Sequence, residues 1–158
     1  MPPPWLGNRP CRPARPDRIG PWALRDLHYD RYLSYAALLL PVADACSAIK
    51  QAFDELAERW PTVLAAPSPA ACAWQAVRRR VRSMAGPLPP VAHLSDPEQD
   101  VLVLHLVLDL PAAEIADLTG TDAAAVQMHL RSVRAADRPR PPGSHPPRPT
   151  GATTGADV

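Results

Sequence analysis

Proline placement constrains this chain more than any other feature. Of its 22 prolines, seven fall in residues 1–21 and six in residues 139–149. A proline inside a helix removes a hydrogen bond and clashes with the preceding turn, and in a central strand it breaks the ladder. The two ends, "MPPPWLGNRPCRPARPDRIGP" and "RPRPPGSHPPRPTGATTGADV", also lack the periodic apolar residues that could offset the entropy of ordering them. Residues 1–21 and 137–158 are therefore expected to be disordered tails. Between them an all-α fold is expected, as two small helical lobes at 22–84 and 95–136 joined by a short Pro-rich linker at 85–94.

The first lobe reads as three helices. In 24–40, Tyr29, Tyr32, Leu33, Ala36 and Leu39 recur at three- and four-residue steps, and Pro41 closes the segment. In 43–60, Cys46, Ile49, Phe53, Leu56 and Trp60 make one apolar stripe, and Pro61 ends it. A loop, "PTVLAAPSP", follows. Ser68 then caps a helix at 69–84 with Pro69 at its first position, and Ala70, Trp74, Val77, Val81 and Met84 form its stripe.

The second lobe opens at "LSDPEQD", where Ser95 and Glu98 have capping-box spacing. The run "VLVLHLVLDL" suits a buried strand as well as a helix. The cap and the lack of partner strands favour a helix over 95–109. Pro111 restarts a short helix, Gly120 ends it in the left-handed conformation, and Asp122 caps a last helix at 123–136. Ala116 is small where two helices must approach, and Ile115, Leu118, Val126 and Leu130 supply a shared core. This is helix-turn-helix logic.

Charge distribution says more than the net charge of +1. Lys50 is the only lysine, against sixteen arginines. Arginines gather at Arg78, Arg79, Arg80 and Arg82, then at Arg131, Arg134, Arg138 and Arg140. Between Ser83 and Leu130 there is no basic residue but there are seven acids. The three cysteines, Cys11, Cys46 and Cys72, are odd in number and scattered, which suggests buried thiols in a reducing compartment. There is no apolar run of membrane length and no signal-peptide pattern, so a cytoplasmic protein is expected. His28, His93, His105 and His129 have no metal-ligand spacing. No nucleophile–base set, phosphate loop or carboxylate pair stands out. Neither an enzyme nor a cofactor or metal is expected.

The stretch "LSDPEQDVLVLHLVLDLPAAEIADLTGTDAAAVQMHLRSVR", residues 94–134, resembles region four of the sigma-70 family of the extracytoplasmic-function type. Residues 24–84 resemble region two of that family more weakly. There "DACSAIKQAFDELAERW" stands where the family has an acidic helix that docks on the polymerase clamp. "AWQAVRRRVRS" stands where it has a tryptophan and an arginine-rich helix near melted promoter. The resemblance implies a transcription initiation factor that binds core RNA polymerase and promoter DNA, with an anti-sigma protein as a further partner. It places DNA contacts at Ala124, Gln127, Met128, Arg131 and Arg134. It places polymerase contacts at Asp44, Gln51, Asp54, Glu55 and Glu58. Arg78, Arg79, Arg80 and Arg82 become nucleic-acid contacts, although a solvated helix face explains them equally well.

The sequence also departs from the family. Gln127 can read adenine and Arg131 can read guanine or grip phosphate, but Ala124 offers only a methyl contact. The acids nearby repel phosphate, so isolated DNA binding is expected to be weak, and tethering to polymerase is expected to compensate. The break at 84–94 reaches at most roughly 35–40 Å, shorter than a linker threaded through polymerase. The loop "PTVLAAPS" has no aromatic residue to stack on unpaired bases. These departures keep a second reading open: a sigma-like interaction protein that binds polymerase, a sigma or an anti-sigma and reads little DNA.

Overall fold

The computed structural model describes residues 20–86 and 94–136. The expected tails lie outside these residues apart from Gly20 and Pro21. The described residues are helical throughout, with no strand among them. In chain order they form α1 (Pro21–Ala37), α2 (Val42–Glu58), α3 (Trp60–Ala65), α4 (Pro69–Ala85), α5 (Asp96–Leu102), a π-helical turn (Val103–Val107), α6 (Ala112–Thr119) and α7 (Ala123–Ala136).

Several boundaries differ from the sequence expectation for local reasons. Helix α1 starts three residues early, because Pro21 sits in the first turn, where its missing N–H costs nothing, and is buried there. It ends early because Leu39 N and Leu40 N both turn back to Ala36 O, at 3.1 and 2.9 Å. The expected loop after Pro61 holds a further helix, α3. The same proline that stops α2 is accepted in the first turn of the next helix. Finally, the helix expected over 95–109 widens into a π turn, where Leu108 N reaches Val103 O at 3.2 Å.

Cysteine use also differs. Cys72 is a free thiol, but Cys46 is disulfide-bonded. The cysteines therefore do not argue for a reducing compartment.

Helices α1, α2 and α4 pack around an aromatic centre. Tyr32 lies 5.7 Å from Phe53 and 6.5 Å from Trp74 between ring centroids, and Tyr35 lies 4.8 Å from Trp74. Such ring pairs stabilise the core beyond the area they bury. Ala45, Ala48 and Ala52 let α2 approach closely, while Ile49, Phe53 and Leu56 fill the space between. The stripes read from sequence face this centre, with Cys46, Trp60 and Leu39 half-buried at its margin and Met84 exposed. Arg25 is also buried, against the Trp22 ring at 4.9 Å and paired with Asp26 at 2.7 Å.

The core continues into the second half. Val101, Leu104, Ile115, Ala116, Leu118, Val126 and Leu130 belong to one contiguous buried cluster with the residues above. Helix α6 lies against α4, and α5 and α6 both pack on α7. No helix of the described residues is long and apolar enough to cross a membrane.

Candidate nucleic-acid interface

The α6–α7 unit is built from its caps inward. Glu98 accepts hydrogen bonds from Ser95 N at 2.8 Å and Ser95 Oγ at 2.7 Å, which holds its carboxyl below the usual range. His105 donates from Nδ1 to Leu110 O at 3.0 Å, which fixes its tautomer, and Leu110 N donates to Leu104 O at 3.0 Å. Together they fold the π turn back toward α6. Gly120 ends α6 at φ 63°, ψ 26°. Thr121 N then closes on Ala116 O at 3.1 Å, and Asp122 Oδ1 accepts from Ala124 N at 2.9 Å. The chain thus turns sharply between two helices that share Ile115, Leu118, Val126 and Leu130, all buried.

This packing decides which face of α7 is free. Ala124, Gln127, Met128, Arg131 and Arg134 are all exposed. Val126 and Leu130 point inward, with His129 and Val133 half-buried beside them. The α7 outer face carries one amide and two guanidiniums among alanines and a methionine. That set can grip phosphate and read a few base edges, no more.

The second arginine group stands differently. Arg78 pairs with Asp100 through Nε and with Asp96 at 3.0 Å. Arg82 pairs with Asp100 at 3.0 Å and with Asp96 at 3.4 Å. Asp100 is only 5% exposed. Burial pushes the Asp100 carboxyl up, and Arg78 and Arg82 pull it back. Burial also opposes the Arg78 charge, but Asp96 and Asp100 outweigh it and hold the guanidinium more firmly cationic. Arg80 pairs with Glu55, and Arg79 reaches the same carboxylate at 3.8 Å.

Sequence reasoning had set these arginines out as a patch and missed their acids. The signal was present: Arg78 and Arg82 are four apart, as are Asp96 and Asp100, so each pair lies on one face of its helix. A further interhelix pair, Arg31 with Glu114 at 2.5 Å, ties α1 to α6.

The polymerase-facing set is split in the same way. Asp44, Gln51 and Glu58 are exposed. Asp54 pairs with Lys50 at 2.5 Å on the same helix, and Glu55 holds Arg80.

His28 lies where α1 meets α6. It is buried, and its Nδ1 has no hydrogen-bond partner among the described residues. Burial, then the charge of Arg31, lowers its pKa below 6.5, while Asp117 on α6 opposes them. A folded pKa below the unfolded one means the stability His28 contributes is complete above pH 6.5 and is lost as pH falls through the folded value. Melting temperature is therefore expected to fall between about pH 7 and pH 5, and His28→Gln to flatten the dependence in that window. Parallel curves for the two proteins would contradict this.

Among the described residues, no group of His, Cys, Asp and Glu could hold a metal ion. No curated protein and no solved structure gives a significant match to the chain. Residues 91–136 match the family model of sigma-70, region 4, so the stretch that carries α5, α6 and α7 is similar to that region.

Proposed function

We propose that this chain is a sigma-like transcription factor of the extracytoplasmic-function type, which joins core RNA polymerase and sets α7 on promoter DNA. The observation that carries the reading is the exposed Gln127–Arg131–Arg134 face of a capped helix-turn-helix, within a stretch matched by the region 4 family model. The protein works in the cytoplasm, as a binding factor without cofactor or catalysis. Polymerase docks on the outer face of α2, through Asp44, Gln51, Asp54, Glu55 and Glu58. Exposed acids there steer association and fix register more than they add affinity.

Arg131→Ala tests the DNA half of the proposal. In the complex with polymerase, loss of a phosphate contact is expected to weaken binding on every sequence and lower the salt slope by about 1. A guanine contact instead costs about 1–3 kcal/mol at one base position. Unchanged affinity on all sequences would remove α7 as a reader.

One observation favours the second reading, an interaction module for a polymerase, sigma or anti-sigma partner. Arg78 and Arg82 are occupied by carboxylates of the chain itself. A protein that bound polymerase or an anti-sigma but gave no DNA contact through α7 would fit that reading.

A further inference from the structure

Contacts of three kinds, on different elements, tie the α5–α7 half to the α1–α4 half. Leu104 and Ile115 belong to the same buried apolar cluster as Tyr32, Trp74 and Val77. Gly120, at the turn between α6 and α7, lies directly against Ser68 and Ala71 at the start of α4. Buried Asp100 on α5 is held by Arg78 and Arg82 on α4, and Glu114 on α6 is held by Arg31 on α1. We infer that residues 20–86 and 94–136 act as one rigid body, which keeps α7 in a fixed place relative to α2, and that the protein therefore addresses a single short DNA element.

These contacts would have to yield together. Halves joined by a small polar interface swing against each other, and halves joined by a continuous apolar core do not. Parting them would bare apolar surface and empty a close-packed seat, and water compensates neither. The ion pairs add little adhesion, but they are directional and hold the register of the halves. Size then limits reach. A compact body of about a hundred residues has a radius of gyration of about 13 Å, so its width is about 35 Å. One turn of DNA is roughly as long, about 34–36 Å. Along α7 the exposed face from Ala124 to Arg134 covers about 15 Å, or roughly four or five base pairs. Arg78 and Arg82 supply no second contact, because Asp96 and Asp100 hold them. A second element more than about one turn away is out of reach.

The DNA half of this inference rests on α7 as a promoter reader; the rigid-body half does not. The rigid body is tested on the full chain with nitroxides on bioorthogonal side chains at Thr62 of α3 and Ser132 of α7. Both positions are exposed, and the cysteines stay untouched. Pulsed dipolar spectroscopy is expected to give one narrow distance, unchanged when core RNA polymerase is added. Two distances, or a longer one in the complex, would overturn the inference. The DNA half is tested by block replacement along a fragment that the protein and core polymerase transcribe. The required bases are expected to fall in one stretch of about 10 base pairs. Two required stretches more than one turn apart would overturn the single element. No transcript from any fragment, with the single distance intact, would remove the promoter reading and the DNA half with it, and leave the rigid body standing.

Discussion

Replacing Gly120 by alanine is expected to lower the unfolding free energy by roughly 2–5 kcal/mol, a sum of conformational strain and overpacking. Gly120 has φ +63°, where an L side chain is strained. A Cβ built there would lie 2.2 Å from Ser68 Oγ and 2.3 Å from Ala71 N. Neither neighbour can give way easily. Ser68 Oγ caps α4 by accepting from Ala71 N at 3.1 Å, and Ala71 N is backbone. The turn of the helix-turn-helix is therefore seated on the first turn of α4, and glycine serves both the turn and the seat. Gly120→Asn separates the two costs. Asparagine tolerates the left-handed conformation but still brings a Cβ, so most of the loss should remain. A urea midpoint for Gly120→Asn equal to that of wild type would show that α4 does not press on this turn.

Phe53→Ala is expected to cost about 3–5 kcal/mol, the range for emptying a buried aromatic site. Phe53 is fully buried on α2 and is the only phenylalanine in the chain. It stands against Tyr32, and Tyr32 in turn stands against Trp74, so its removal leaves α1, α2 and α4 around a void. The neighbours cannot collapse cheaply, because Ala48 and Ala52 have no side chain to extend into the gap. The effect should appear in urea or thermal unfolding, and Phe53→Leu should recover much of it. A loss under about 1 kcal/mol would mean that this aromatic centre is not where α2 is held.

With Ile49, Phe53 and Leu56 inward, Asp44, Gln51 and Glu58 are left outside by geometry. That division was legible in the sequence, because a three-and-four apolar step has only one solution on a helix. Ser68 as a cap, Gly120 as a left-handed stop and Asp122 as the start of α7 were legible for the same reason: each is a local rule with a local signature. The π turn at 103–107 was not, since its cause is the fold-back through His105 and Leu110, and a run of Val and Leu does not announce that contact. Helix α3 was missed because a proline reads as a stop and as a start with equal right.

The largest omission lay between the halves. The sequence placed arginines at 78–82 and acids at 96–100 but not their meeting, and pairing across a break depends on the tertiary fold. The same omission recast the candidate site. Arg131 and Arg134 remain exposed as read, while Arg78, Arg80 and Arg82 are bound to Asp100, Asp96 and Glu55.

If this chain directs polymerase to promoters, as proposed, run-off transcription with purified core RNA polymerase on fragmented genomic DNA will give discrete transcripts only when the protein is added, and Arg131→Ala will abolish them. A transcript pattern identical with and without the protein, from a preparation that is folded and monodisperse, would contradict that reading.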